Sequence, residues 1–194
     1  MCCAQARCDL KNSDTMRHLR ILALCSMLCA LIIIGAYIRL PFPVPITLQL
    51  LFTNVGALLL GKKWGWVPPL VYLLLGLAGL PVFATSSGIG SILSVSFGFT
   101  VGFVVGAALS GAISEKRKST VSLIVASALN VTCVYLCGTL YYLVLCNIYF
   151  CEVTTLSYAL YICVLPFIVP DIIKCALSIL LYKKLSKYVR IQKV

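Results

Sequence analysis

The chain has 194 residues, 61% hydrophobic and only 11% charged, with a formal net charge of +11. No soluble domain of this length has that balance. About 20 consecutive apolar residues cross a bilayer as a helix, and several such runs occur here. The expected class is an all-α integral membrane protein, a six-transmembrane-helix bundle in one domain. A transmembrane barrel is excluded because its strands alternate in polarity, whereas these runs are continuous. The positive charge does not indicate nucleic acid. The basic residues form no single patch; they sit in the gaps between apolar runs, which is a topology signal.

Residues 1–18 carry Arg7, Lys11, Arg17, Asp9 and Asp14 and are expected to form a short cytoplasmic tail. The first apolar run, Leu19–Ile38, is long enough to span, so a cleaved signal peptide is not expected. One side of it carries small residues four apart, Ser26 and Ala30, with Cys25 and Cys29 beside them; small residues let another helix approach closely. Arg39 follows, then Pro41, Pro43 and Pro45, which favour extended chain. The second span, Ile46–Leu60, opens with Thr47 and Gln49, a hydroxyl and an amide in its first turn. The third, Trp64–Leu80, places Trp64 and Trp66 at an interface, with Pro68 and Pro69 near its start, where a missing N–H costs least.

The segment Pro81–Ser91 has no charge but many hydroxyls and glycines, Thr85, Ser86 and Ser87 among them. Such a loop can lay hydroxyls and backbone N–H groups against a ligand; the plainer reading is an ordinary surface loop. The fourth span, Ile92–Ile113, carries Gly98, Gly102, Gly106 and Ser110 at four-residue steps, a stripe for close helix packing. The fifth, Thr120–Cys146, contains Asn130, which is expected to bond a neighbouring helix or a ligand. The sixth, Leu156–Tyr182, is interrupted by Pro166 and Pro170, each of which frees a carbonyl and favours a kink. Residues 183–194 form a basic cytoplasmic tail.

With both termini in the cytoplasm, Arg7, Lys11, Arg17, Arg20, Lys62, Lys63, Lys116, Arg117, Lys118, Lys183, Lys184, Lys187, Arg190 and Lys193 fall inside and only Arg39 outside. Lys174 is then the one basic residue at membrane depth. The positive-inside rule therefore favours this orientation strongly, with Ser87 and Glu152 outside. The halves of the chain show no internal repeat, which argues against an inverted-repeat transporter.

Asp171 and Lys174 are the only acid and base inside any apolar run. Three residues apart, they share one helix face. Ionisable groups at that depth cost about 2.5–3.5 kcal/mol each on insertion scales and usually mark a site; the plainer reading is an ion pair that pins two helices. The eleven cysteines include no C-x2-C, and the sole histidine, His18, lies in the tail, so no metal site is expected. Cys146 and Cys151 flank an outer loop and would pair only under oxidising conditions. No G-x-x-x-x-G-K-[ST] loop is present, so the chain is not expected to hydrolyse ATP. With no histidine at depth, neither a zinc nor a serine intramembrane hydrolase fits, and no catalytic residue is assigned. A polar floor of Asp171 and Lys174, facing Thr47, Gln49 and Thr85–Ser91, suits a small polar ligand with an apolar portion.

The pattern resembles the BioY family, the substrate-capturing membrane subunits of energy-coupling-factor biotin transporters. The resemblance covers about Leu24 to Leu185. Val44-Pro45-Ile46-Thr47-Leu48-Gln49 is similar to the family's V-P-x-T-L-Q, and Gly76-Leu77-Ala78-Gly79-Leu80-Pro81-Val82-Phe83-Ala84 to its G-L-x-G-L-P-V-F-A. Ser96–Phe103 is similar to T-G-G-Y-x-x-G-F, with Phe97 at a glycine position and Phe99 at the tyrosine position; Pro170-Asp171-Ile172-Ile173-Lys174 is similar to P-G-D-x-x-K without the glycine. The resemblance implies a non-enzymatic subunit of the cell membrane that binds biotin from outside, without a cofactor. Its site would use Thr47, Gln49, Thr85, Ser86, Ser87, Phe99, Asp171 and Lys174. Its partners would be a transmembrane coupling protein and ATP-binding subunits, reached through the Ser26/Ala30 face of the first helix, with lipid around it. Three other readings stay open on the residues alone: a carrier driven by protons through Asp171, a membrane enzyme, and a purely structural subunit.

Overall fold

The computed structural model describes the backbone of residues 2–40, 46–83, 88–116, 119–149 and 154–188, with side chains from Thr15 onward. Within these segments the regular secondary structure is helical apart from one two-stranded ribbon. The helices are α1 (Cys2–Tyr37), α2 (Gln49–Trp64), α3 (Val67–Leu77), α4 (Phe97–Lys116), α5 (Thr120–Val144), α6 (Leu156–Cys163) and α7 (Ile168–Leu185). Four stretches among the described residues are long and apolar enough to cross a membrane: Thr15–Tyr37, Phe97–Glu115, Thr120–Tyr149 and Leu156–Leu185. Between the first two lie the shorter α2, of 16 residues, and α3, of 11.

Several expected boundaries move. The polar N-terminal stretch is not separate from the first helix; α1 runs unbroken from Cys2. Ile46 and Thr47 are not helical. They form β2 and pair antiparallel with β1 (Arg39–Leu40), Arg39 opposite Thr47. The sixth span is broken more deeply than a kink. A 3-10 turn, Leu165–Phe167, separates α6 from α7. Pro166 sits in that turn and Pro170 in the first turn of α7, where its missing N–H would have had no helical partner.

α2 is the central element. It packs against α1, α3, α4, α5 and α7. Gly35 of α1 makes its start possible: a Cβ there would lie 3.1 Å from the Gln49 nitrogen, and the Leu48 N–H donates to the Gly35 carbonyl at 3.1 Å. The most extensive interface joins α4 to α5. Here the glycine stripe of α4 finds its partner. Cβ atoms added at Gly98, Gly102 and Gly106 would meet Tyr141, Val134 and Asn130 of α5 at 2.2, 2.8 and 2.1 Å.

The stripe also places Asn130. Fully buried, its Nδ2 donates to Asn54 Oδ1 of α2 at 2.9 Å, and Asn54 Nδ2 donates to the Cys175 sulfur of α7 at 3.5 Å. A polar chain thus ties α5, α2 and α7 together.

Candidate functional site: a cavity over a buried ion pair

The break before α7 sets the site. It starts α7 inside the bundle, so Asp171 falls in the helix's first turn, where the helix dipole favours negative charge. One turn on, Lys174 Nζ reaches Asp171 Oδ1 at 2.7 Å, both residues about 95% buried. The second carboxylate oxygen, Oδ2, accepts the Tyr135 phenol of α5 at 2.7 Å. A single carboxylate thus holds two donors from two helices, a charge-assisted arrangement.

This group faces a cavity of about 790 Å3, its open mouth included. Phe97, Phe99, Phe103, Phe167, Tyr72 and Phe83 supply its aromatic walls. Phe99 is stacked on Phe167 at 6.2 Å between ring centres, and its ring lies against Gly138 of α5, where a Cβ would come within 2.4 Å. Gln49 and Thr47 line the cavity from the start of α2. Thr47 Oγ1 donates to Gln49 Oε1 at 3.0 Å. Gln49 is buried and its Nε2 has no aligned partner, although the Tyr72 hydroxyl lies close by.

The Gly76–Phe83 motif has a local physical reason. The N–H of Leu80 reaches the Leu75 carbonyl at 3.2 Å and that of Gly79 reaches Gly76 at 3.2 Å, a Schellman ending of α3 with Gly79 at φ 92° in the left-handed region. The chain then doubles back. Phe83 covers Gly76, where a Cβ would sit 2.1 Å from its ring, and meets Tyr72 edge-on at 5.2 Å. The reversal thereby delivers Phe83 to the cavity wall. Two tyrosine hydroxyls hold the surrounding segments: Tyr37 donates to the Pro81 carbonyl and Tyr141 to that of Ile92.

Of the residues expected from sequence, Thr47, Gln49, Phe99, Asp171 and Lys174 line this one cavity. Thr85, Ser86 and Ser87 lie outside the described residues, as do Glu152 and Cys151; Cys146 is a buried free thiol. Ser26 and Ala30 are away from the cavity, exposed on the outer side of α1, while Cys25 and Cys29 turn inward. Ser91, at the end of the Thr85–Ser91 stretch, lines the cavity as well; Tyr135, Tyr72, Ser94, Ser96 and Thr100 were not expected and line it too. For Tyr135 a signal existed: a tyrosine near the middle of a span, away from the interfaces where aromatics usually gather.

The BioY family model matches residues 9–191. A probable biotin transporter BioY from Lysinibacillus sphaericus is 33% identical over 184 residues, covering 93% of this chain and 92% of the relative. The biotin transporter BioY of Thermotoga maritima is 34% identical over 160 residues, covering 81% of this chain and 90% of the relative. The fold superposes on the S-component for biotin from an ECF-type ABC transporter, a 2.1 Å crystal structure, with a TM-score of 0.78 and 27% identity, over 88% of this chain and 92% of that one. With a family match along nearly its whole length and these relatives on either side of one-third identity, the chain, a multi-pass membrane protein, belongs to the BioY family.

Proposed function

We propose that this chain is the biotin-capturing membrane subunit of an energy-coupling-factor vitamin transporter and has no enzymatic step of its own. One observation carries the reading: the buried Asp171–Lys174 pair, held by Tyr135, lies in the wall of an open aromatic cavity instead of being sealed between helices. An ion pair that only pinned helices would need no cavity. Biotin joins a ureido group, both donor and acceptor, to an apolar ring and tail that end in a carboxylate. Asp171 accepts from N–H, Lys174 donates to an oxygen, and the phenylalanines take the apolar portion. Gln49, Thr47 and Phe99 complete the contacts, with Thr85–Ser87 closing over the ligand.

The same reading sets topology and partners. Six spans cross the membrane, carried by α1, α2, α3, α4, α5 and the broken α6–α7 unit, as one domain over residues 19–182 between two cytoplasmic ends. The 14-to-1 split of basic residues supports that orientation. Energy comes from separate ATP-binding subunits through a transmembrane coupling protein docked on the Ser26/Ala30 face. An impermeant thiol reagent on intact cells checks the orientation: a cysteine placed at 152 is expected to react and one at 117 to be protected.

Equilibrium binding of labelled biotin to the purified, detergent-solubilised chain tests the function. Saturable binding, displaced by unlabelled biotin, is expected. A monodisperse chain that binds no biotin would refute the reading. Uptake that survives without an ATPase and collapses with the proton gradient would transfer support to a proton-driven carrier.

A further inference from the structure

We propose that Tyr135 is a positioning residue for ligand capture: its phenol fixes the Asp171 carboxylate so that Asp171 and Lys174 face the cavity together. The inference rests on the reading of the cavity as the biotin site. Tyr135 lies near the middle of the Thr120–Tyr149 span. A phenol in the wall of an aromatic cavity can bond either water or a protein group. Its partner is Asp171 Oδ2, at 2.7 Å.

Lys174 alone does not fix the carboxylate. It sits on the same helix three residues on and bonds only Oδ1, so it ties the carboxylate to no other element. Tyr135 adds a bond to the other oxygen from a different helix. With a donor on each oxygen, the carboxylate plane is set. A carboxylate has about four lone-pair sites, so each oxygen keeps capacity for a ligand N–H.

The α5 side of this bond is itself anchored. Gly102 and Gly106 bring α5 onto α4, and Asn130, on α5, is bonded to Asn54 of α2. The Tyr135 ring packs on the cluster of Phe99, Phe103, Val134 and Phe167. The phenol therefore acts as a fixed post, and α7 is the element it trims.

Two measurements on Tyr135→Phe test this, with monodispersity and thermal stability as folding controls. The ring is retained, so the variant is expected to fold. The first is biotin affinity, expected to fall about tenfold, as loss of a bond to a charged group predicts. The second needs no ligand: the infrared carboxylate band of Asp171 in protein carrying carbon-13 aspartate, with Asp9 and Asp14 replaced by Asn. That band is expected to shift in Tyr135→Phe. A fall in affinity without a band shift would mean that Tyr135 touches the ligand directly, and the positioning role would be wrong. A band shift with unchanged affinity would remove the role in capture. Should the parent chain bind no biotin, the proposed function fails on that arm alone, and an unshifted band would still sink the Tyr135–Asp171 coupling.

Discussion

α5 has two interfaces built on opposite principles. Toward α4 it is dry and close: Gly98, Gly102 and Gly106 leave no room for even a methyl group, and Gly138 returns the favour to Phe99. Toward α7 it meets a partner across a cavity wall, through the Tyr135–Asp171 bond. In hydrocarbon no hydrophobic force draws helices together, so packing and hydrogen bonds must do it. The first interface uses backbone proximity and is indifferent to chemistry. The second uses charge and is loosely packed. A helix clamped hard on one side can border a cavity on the other without collapsing into it.

Breaking the α7 side is expected to give the largest effect. Lys174→Ala strands Asp171 without its counter-charge, and Asp171→Ala strands Lys174; each is expected to cost about 3–5 kcal/mol and to weaken biotin binding by orders of magnitude. Lys174→Met, which fills the space, is expected to fold yet not bind. Titration of each monodisperse variant with labelled biotin decides the matter; parent-like affinity in both alanine variants would make the pair structural. Breaking the α4 side acts on stability instead. Gly106→Val drives side-chain carbon into Asn130 Oδ1, 2.1 Å from the Cβ position, and its carbonyl, at 2.9 Å. A loss of about 3 kcal/mol is expected, at the upper end for overpacking, read as a lowered melting temperature. If Asn130→Ala in the same chain restores none of it, the contact is not the cause.

Much of this arrangement was legible in the chain. Asp171 and Lys174 stand out because charge inside an apolar run is expensive, and a stripe at four-residue spacing marks a packed face. The stripe did not say which helix covers it; in the structure that helix is α5. The Ile46 boundary failed for a different reason. A short apolar run reads alike as strand or helix, and Ile46 and Thr47 go to the ribbon with Arg39 and Leu40. Pro166 and Pro170 signalled a kink, whereas the structure starts a new helix, and that start is what puts Asp171 in a first turn. Tyr135 carried a signal in its mid-span position, but its role stayed hidden because its partner lies 36 residues on.

A smaller effect is expected where the two interfaces meet. Asn130→Leu removes the bond to Asn54 while keeping bulk against Gly106. Interhelical hydrogen bonds in membranes average about 0.6 kcal/mol, so a small drop in melting temperature is expected, with biotin affinity within a few-fold of the parent. A loss as large as that of Lys174→Ala would place Asn130 in the ligand site itself.

The smallest effect on binding is expected on α1, whose outer side repeats the small-residue pattern of α4 and is uncovered among the described residues. Ser26 and Ala30 are exposed, and Ser26 Oγ donates to its own helix at Ala23 O, 3.0 Å away. The face therefore presents no unpaired hydroxyl proton to lipid or protein. Inward contacts of this helix run instead through Ile21, Cys25, Leu28, Cys29, Ile32 and Ala36. A bulky side chain at position 30 points away from the bundle, so Ala30→Trp is expected to leave biotin affinity within about twofold of the parent, as surface changes generally do. Close approach of a partner helix, by contrast, requires the small side chain. In vesicles reconstituted with the coupling protein and ATP-binding subunits, the same variant is expected to lose uptake. A tenfold loss of biotin affinity would show that the face packs inside the bundle after all. Undiminished uptake would move the docking surface to another helix and leave the bare stripe on α1 in contact with lipid alone.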